Sequence, residues 1–148
     1  LAYDQPDSIG CYAEECVVGD WQLVQAPPHL GLNLWQIVSL SLRAPTAYHM
    51  WRRPEGILRV KLPNEKLSTM NVLAFGGGVR ELFLMLAKHR GHNAFFCSGS
   101  PERRDALEKQ GIIGIDQKAY NSFETRDDMK GFGREVKKLT GGTGMHIV

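Results

Sequence analysis

Cysteine is scarce in this chain: Cys11, Cys16 and Cys97 are the three present, and no C-x-x-C occurs among them. An odd count without paired spacing supports neither a disulfide framework nor a zinc knuckle, so they read as free thiols. A dominant sign of charge is also missing, with 18 Lys and Arg against 16 Asp and Glu. That balance excludes a nucleic-acid binder that works by neutralising a run of phosphates, and an acidic disordered tail. No window approaches the ~18 consecutive apolar residues of a membrane span. The opening LAYDQPDSIG lacks the basic and then apolar regions of a signal peptide. The expected setting is therefore the cytoplasm or an organelle matrix. Internal repeats and low-complexity tracts are absent too. What remains is a 148-residue chain, 43% hydrophobic and 23% charged. It has the size of one soluble globular domain, since domains are commonest at ~100 to 150 residues.

Two halves differ in pattern. Residues 12–24, YAEECVVGDWQLV, read as two short extended segments joined at Gly19 and Asp20, and Pro27 and Pro28 end them. Asn33 is a natural N-cap for an amphipathic helix with Leu34, Ile37, Val38 and Leu42 on one stripe. Pro45 interrupts that helix and suits the first turn of a second short one over 46–51. Residues 52–70 hold mixed charge and no steady period, and read as a connection with one short strand near 57–60. From Asn71 onward strands and helices alternate. Strands are expected at 71–75, 93–97, 112–115 and 146–148, and helices at 79–90, 101–110 and 131–139. Apolar runs separated by helical patterns mean a parallel sheet with crossover helices, an α/β fold.

The helices carry their own punctuation. Val79, Leu82, Phe83, Leu86 and Ala87 form one apolar stripe closed by Gly91, and Ser100 and Pro101 open the next helix as N-cap and first residue.

The run Val72-Leu73-Ala74-Phe75-Gly76-Gly77-Gly78-Val79 is a strand entering a glycine turn and then a helix. Glycines permit positive φ and close backbone approach, and a helix N-terminus offers free N–H groups with partial positive charge. This is the context of a pyrophosphate site, although three glycines also suit a plain tight turn. The full G-x-G-x-x-G fingerprint is not met, because Glu81 falls where the third glycine would stand. At the end of the second strand, Ser98-Gly99-Ser100-Pro101-Glu102-Arg103-Arg104 has no acid for ribose hydroxyls and supplies two arginines. That favours NADP over NAD; the alternative is that Arg103 and Arg104 belong to a solvated helix face. An S-adenosylmethionine site would want carboxylates where Ala74 and Gly99 stand.

Several segments in order resemble the medium-chain dehydrogenase/reductase superfamily: Gly10-x-Tyr12-Ala13-Glu14, Leu23-Val24, Pro27-Pro28, Thr46-Ala47-Tyr48, the glycine turn, Ser100-Pro101-Glu102-Arg103, and Leu139-Thr140-Gly141-Gly142. Phe132-Gly133-Arg134 ahead of the last of these is similar to the crotonyl-CoA carboxylase/reductase and quinone-reductase-like branch, which is zinc-free. The resemblance implies the end of a GroES-like β-rich catalytic domain with connecting helices over 1–51, a linker over 52–70, and the first half of a Rossmann domain, about four strands, over 71–148. The chain is then expected to be a fragment of a longer polypeptide. NADPH is the implied cofactor. Gly76, Gly77, Gly78 and Val79 would line its pyrophosphate, Ser100 and Arg103, with Arg104 beside them, its 2′-phosphate, and Thr46 would lie near the nicotinamide.

The implied reaction is hydride transfer to an activated double bond in an enoyl thioester, carried on CoA or a carrier protein, or in a quinone-like acceptor. The implied partners are a small-molecule substrate and further copies of the full-length chain, with no nucleic acid or membrane. No catalytic side chain and no metal ligand is assigned. The sequence departs from the family at Arg80, which stands in place of a last glycine in a turn one residue short. That departure sustains a second expectation, a dehydrogenase-like domain that has lost catalysis and serves as a scaffold or interaction module.

Other residues invite roles that their context does not support. His29, His49, His89, His92 and His146 are scattered, and a surface or packing role is expected for each. Trp21, Trp35 and Trp51 read as core or interface anchors, Asp127 and Asp128 as part of a polar loop, and Cys97 as buried and inert.

Overall fold

A computed structural model describes residues 14–15, 17–23, 25–26, 31–61 and 69–148. Gly10, Tyr12, Ala13, Val24, Pro27 and Pro28 of the family resemblance lie outside the described residues, as does 62–68 of the expected linker. The chain divides into two compact units, Leu1–Ile37 and Val38–Val148. In the first, the described part of the expected extended segments is irregular, and Asp20–Gln22 forms one 3-10 turn in place of a strand. Asn33 and Gln36 cap the helix start reciprocally: Gln36 N–H donates to Asn33 Oδ1 at 3.0 Å and Asn33 N–H to Gln36 Oε1 at 2.9 Å.

In the second unit, among the described residues, β1 (Asn71–Phe75), β2 (Asn93–Ser98) and β3 (Ile113–Asp116) form one parallel sheet in the order β1-β2-β3. The crossover helices are α2 (Val79–His89) and α3 (Pro101–Glu108), and α4 (Arg126–Leu139) follows β3. The expected fourth strand at 146–148 is a single parallel bridge, Val72 to Ile147, on the edge of β1 away from β2. Leu73 N–H donates to the Ile147 carbonyl at 2.9 Å. Strand order thus reverses at β1, which is the feature that defines the switch point of a doubly wound sheet.

The pleat sends alternate residues to opposite faces, and both faces are covered. Val72, Ala74, Ala94 and Phe96 pack with Phe83, Leu84, Ala87 and Leu107 of α2 and α3. Leu73, Phe95, Cys97 and Ile115 pack with Val136 of α4, under a cluster of Phe75, Tyr120, Phe123 and Phe132. Fully covered parallel strands need apolar residues on both faces, which is why NVLAF and NAFFCS show no alternation.

The expectations for 34–61 are corrected. In place of two helices, the first part of a connection and a strand near 57–60, one helix α1 (Leu34–Lys61) runs through Pro45 and Pro54. An interior proline costs about 3 kcal/mol. Burial between the two prolines opposes that cost: Ala47 and Trp51 are both 0% exposed, and withdrawing an indole of ~150–250 Å² from water is worth about 4–6 kcal/mol. The stripe expected to face the core does not: Leu34, Val38 and Leu42 are exposed, as are Trp21 and Trp35, and only Trp51 of the three tryptophans is a core anchor.

α4 starts at Arg126, ahead of the expected 131, because Thr125 and Asp128 make a capping box. Thr125 Oγ1 accepts from Asp128 N–H at 3.1 Å and the Asp128 carboxylate accepts from Thr125 N–H at 3.0 Å. Asp127 and Asp128 are therefore first-turn helix residues, not loop.

The amino end of β1 is pinned by two imidazoles. Met70 N–H donates to His92 Nδ1 at 3.2 Å and Asn71 N–H to His146 Nδ1 at 2.9 Å. Asn71 also donates through Nδ2 to the Gly144 carbonyl at 2.8 Å and accepts at Oδ1 from Asn93 at 2.9 Å. One buried asparagine thereby ties β1 to β2 and to the returning chain.

Candidate functional site at the glycine turn

The carboxyl end of the sheet is where a parallel α/β fold leaves backbone groups and loops free for a ligand, at the switch point above all. Residues 76–78 stand there. Gly76 and Gly78 take φ of 79° and 71°, in the region that favours glycine. Gly76 N–H donates to the Cys97 carbonyl at 3.2 Å, which fastens the turn to the end of β2. Gly78 is the N-cap of α2 and no side chain caps that terminus, so its first N–H groups are left to solvent or ligand. Val79, the first helical residue, packs against the core below.

Three side chains overhang the turn. The Arg103 guanidinium and Glu81 Oε1 occupy the space a Cβ on Gly77 would need, the carboxylate oxygen 3.0 Å from that position. Arg80 Nη1 donates to the Phe75 carbonyl at 2.9 Å and lies 3.1 Å from where a Cβ on Gly76 would stand. Above Gly78 there is open space: an added Cβ meets nothing within 4 Å.

At the end of β2 the neighbouring groups are already engaged. Ser100 caps α3, accepting from Arg103 N–H at 3.4 Å and donating to Glu102 Oε2 at 2.7 Å. That hydroxyl is the main reason the Glu102 carboxyl titrates below its usual range. Arg104 turns toward β3, bonding the Ser98 carbonyl and pairing with Asp116 at 3.1 Å. Lys118, which drew no attention in the sequence, lays its stem over Gly99, 3.5 Å from a Cβ there. Its position follows from an Asp116 cap, Lys118 N–H to Asp116 Oδ1 at 3.0 Å, which turns the chain back over the strand ends.

Thr46 sits on the exposed side of α1 and donates from Oγ1 to the Leu42 carbonyl at 2.8 Å. Its hydroxyl is committed within its own helix. Tyr48 borders an apolar groove with Leu82, Met85 and Leu86 of α2. The structure therefore brings together Gly76, Gly77, Gly78, Val79 and Arg103, adds Arg80, Glu81 and Lys118, and directs Arg104 elsewhere. Cys97, beneath the turn, is buried, and burial pushes its thiol up to about 11.

The class these observations define is an α/β protein with a three-stranded parallel sheet and a glycine turn at its switch point. Compared with models of known families, with curated proteins and with solved structures, the chain gives no significant match. Among the described residues, no helix is long and apolar enough to cross a membrane.

Proposed function

We propose that the chain is an NADPH-dependent oxidoreductase of the medium-chain type, transferring hydride to an activated double bond such as that of an enoyl thioester or a quinone-like acceptor. The observation that carries this reading is the glycine turn: positive-φ glycines at the carboxyl end of β1, beside an uncapped helix terminus, where strand order reverses. The residues fit a dinucleotide. The backbone N–H groups of 77–79 would bind a diphosphate, no acid stands at Ser98 or Gly99 to repel a 2′-phosphate, and Arg103 and Lys118 supply positive charge nearby.

The cofactor, when bound, supplies the hydride. The chain's part is to bind and orient. The glycines admit the diphosphate close to the backbone, and the α2 terminus contributes its partial positive charge. The packed face of Phe75, Phe123 and Phe132 holds the turn's base rigid, with ring centroids 5.0–5.7 Å apart.

Fluorescence titration of the full-length protein with NADPH and NADH tests this reading. Saturable binding that favours NADPH is expected, and Arg103→Ala should weaken NADPH more than NADH. Equal losses would remove the phosphate assignment. The scaffold reading draws on Arg80, whose guanidinium lies across the turn; it replaces the enzyme reading if NADPH does not bind.

A further inference from the structure

Arg80 occupies a position where a glycine would let helix and strand approach closely, and its side chain stays out of that packing. It crosses the turn to the Phe75 carbonyl, 2.9 Å away. A guanidinium carries five N–H donors in a planar fork, and this bond uses one of them. Among the described residues no carboxylate pairs with Arg80. Arg103 reaches the adjacent glycine from α3, so two guanidinium groups converge on the three glycines from two helices, and the one acid sharing that space is Glu81. The cradle is cationic, and one of its cations is held by a neutral oxygen alone.

Resting on the nucleotide reading above, we propose that Arg80 is a diphosphate-recognition residue. It exchanges the Phe75 carbonyl for a phosphoryl oxygen as the dinucleotide enters, and makes the turn selective for ligands with a diphosphate bridge over adenosine phosphates without one. The exchange is favourable because a bond from guanidinium to an anionic oxygen is about twice as strong as one to a neutral acceptor, and the planar fork matches two phosphoryl oxygens at once. The carbonyl it leaves is at a strand end, where solvent can replace the lost donor. Arg80 is exposed, so its exchange disturbs no core packing.

The test measures affinities of the full-length protein for NADPH and for adenosine 2′-monophosphate, which lacks the bridge. Arg80→Ala is expected to weaken NADPH about tenfold, equivalent to about 1.4 kcal/mol, and to leave adenosine 2′-monophosphate within twofold. Arg80→Gln keeps a donor for the Phe75 carbonyl without the charge and should match the alanine variant, while Arg80→Lys should recover part of the loss. The glutamine variant also carries the test if alanine fails to fold. The loss should shrink with added salt, as for exposed charges. NADPH bound equally or more tightly by the alanine and glutamine variants would overturn the proposal and mark Arg80 as an obstruction or a turn staple. Equal losses for both ligands would also overturn it. Absence of NADPH binding by the wild-type protein would instead refute the nucleotide reading itself, and this assignment with it.

Discussion

Trp51 anchors α1 between its two prolines, and two substitutions separate its contributions. Its ring is 0% exposed, lies 5.2 Å from the His92 ring and 5.7 Å from Phe83, and has the Arg90 guanidinium 5.9 Å away. Its indole N–H is buried with no hydrogen-bond partner among the described residues. Trp51→Ala removes the ring and leaves a cavity, a change that costs about 3–5 kcal/mol in cores. At about 2–4 °C per kcal/mol for a chain of this size, the melting temperature should fall by about 6–20 °C. Trp51→Phe keeps most ring contacts and deletes the unpaired donor, whose burial itself costs about 1–3 kcal/mol. The smaller ring and the deleted donor act in opposite directions, so the phenylalanine variant should lie within about 1.5 kcal/mol of wild type. Urea unfolding followed by far-UV circular dichroism measures both, with an unchanged slope securing the comparison. A phenylalanine variant as unstable as the alanine one would mean that the indole N–H is bonded. An alanine variant within about 1 kcal/mol of wild type would mean that Trp51 burial does not carry the helix past its prolines.

Three further outcomes are expected. Cys97, buried and with its thiol pushed up to about 11, should resist iodoacetamide at pH 8 in the native protein and react on unfolding; native labelling faster than global unfolding would contradict this. Gly76→Ala should cost about 1–2 kcal/mol for its positive φ and also press on Arg80, and Gly78→Ala, with nothing within 4 Å of the new Cβ, should carry only the backbone cost of φ 71° and ψ −113°, about 1–3 kcal/mol; denaturation midpoints equal to wild type for either variant would refute the geometry. For Glu102, whose carboxyl is held below 4.5 chiefly by the Ser100 hydroxyl, the linked stability is present above the unfolded-state value and lost as pH falls through the lower folded value. Ser100→Ala should move the Glu102 titration seen by NMR upward toward 4.5, and an unmoved titration would assign the shift elsewhere.

Residues 71–116 were legible because each strand is built on a short apolar run and each helix between them is closed by its own glycine or opened by its own cap. Local chemistry and tertiary structure agree there, as at Ser100 and Pro101. α1 was not legible, since Pro45 and Pro54 are local stop signals and the burial that opposes them is a contact between residues distant in sequence. The start of α4 was hidden by Asp128 in a capping role more often filled by Glu or Gln. The 3-10 segment Gln117–Phe123 places Asn121 and Phe123 at φ of 43° and 66° without a glycine to announce it. At the candidate site, the glycine turn between strand and helix was readable from spacing. The pairing of Arg104 with Asp116, one strand over, and the reach of Lys118 to Gly99 arise only once β3 has been laid beside β2.

Asn71 and the two histidines beside it sit at the opposite end of the strands from the glycine turn. They act as the fixed end of a cantilever: Asn71 aligns β1, β2 and the returning segment at their amino ends, so the free ends project the loops from a common baseline. On the proposed nucleotide reading, stability and ligand choice would then be written in different residues: substitutions at 76–80, 99–104 or 118 would retune what the turn accepts while the anchored end keeps the strands in register, leaving the site room to change faster than the sheet that carries it.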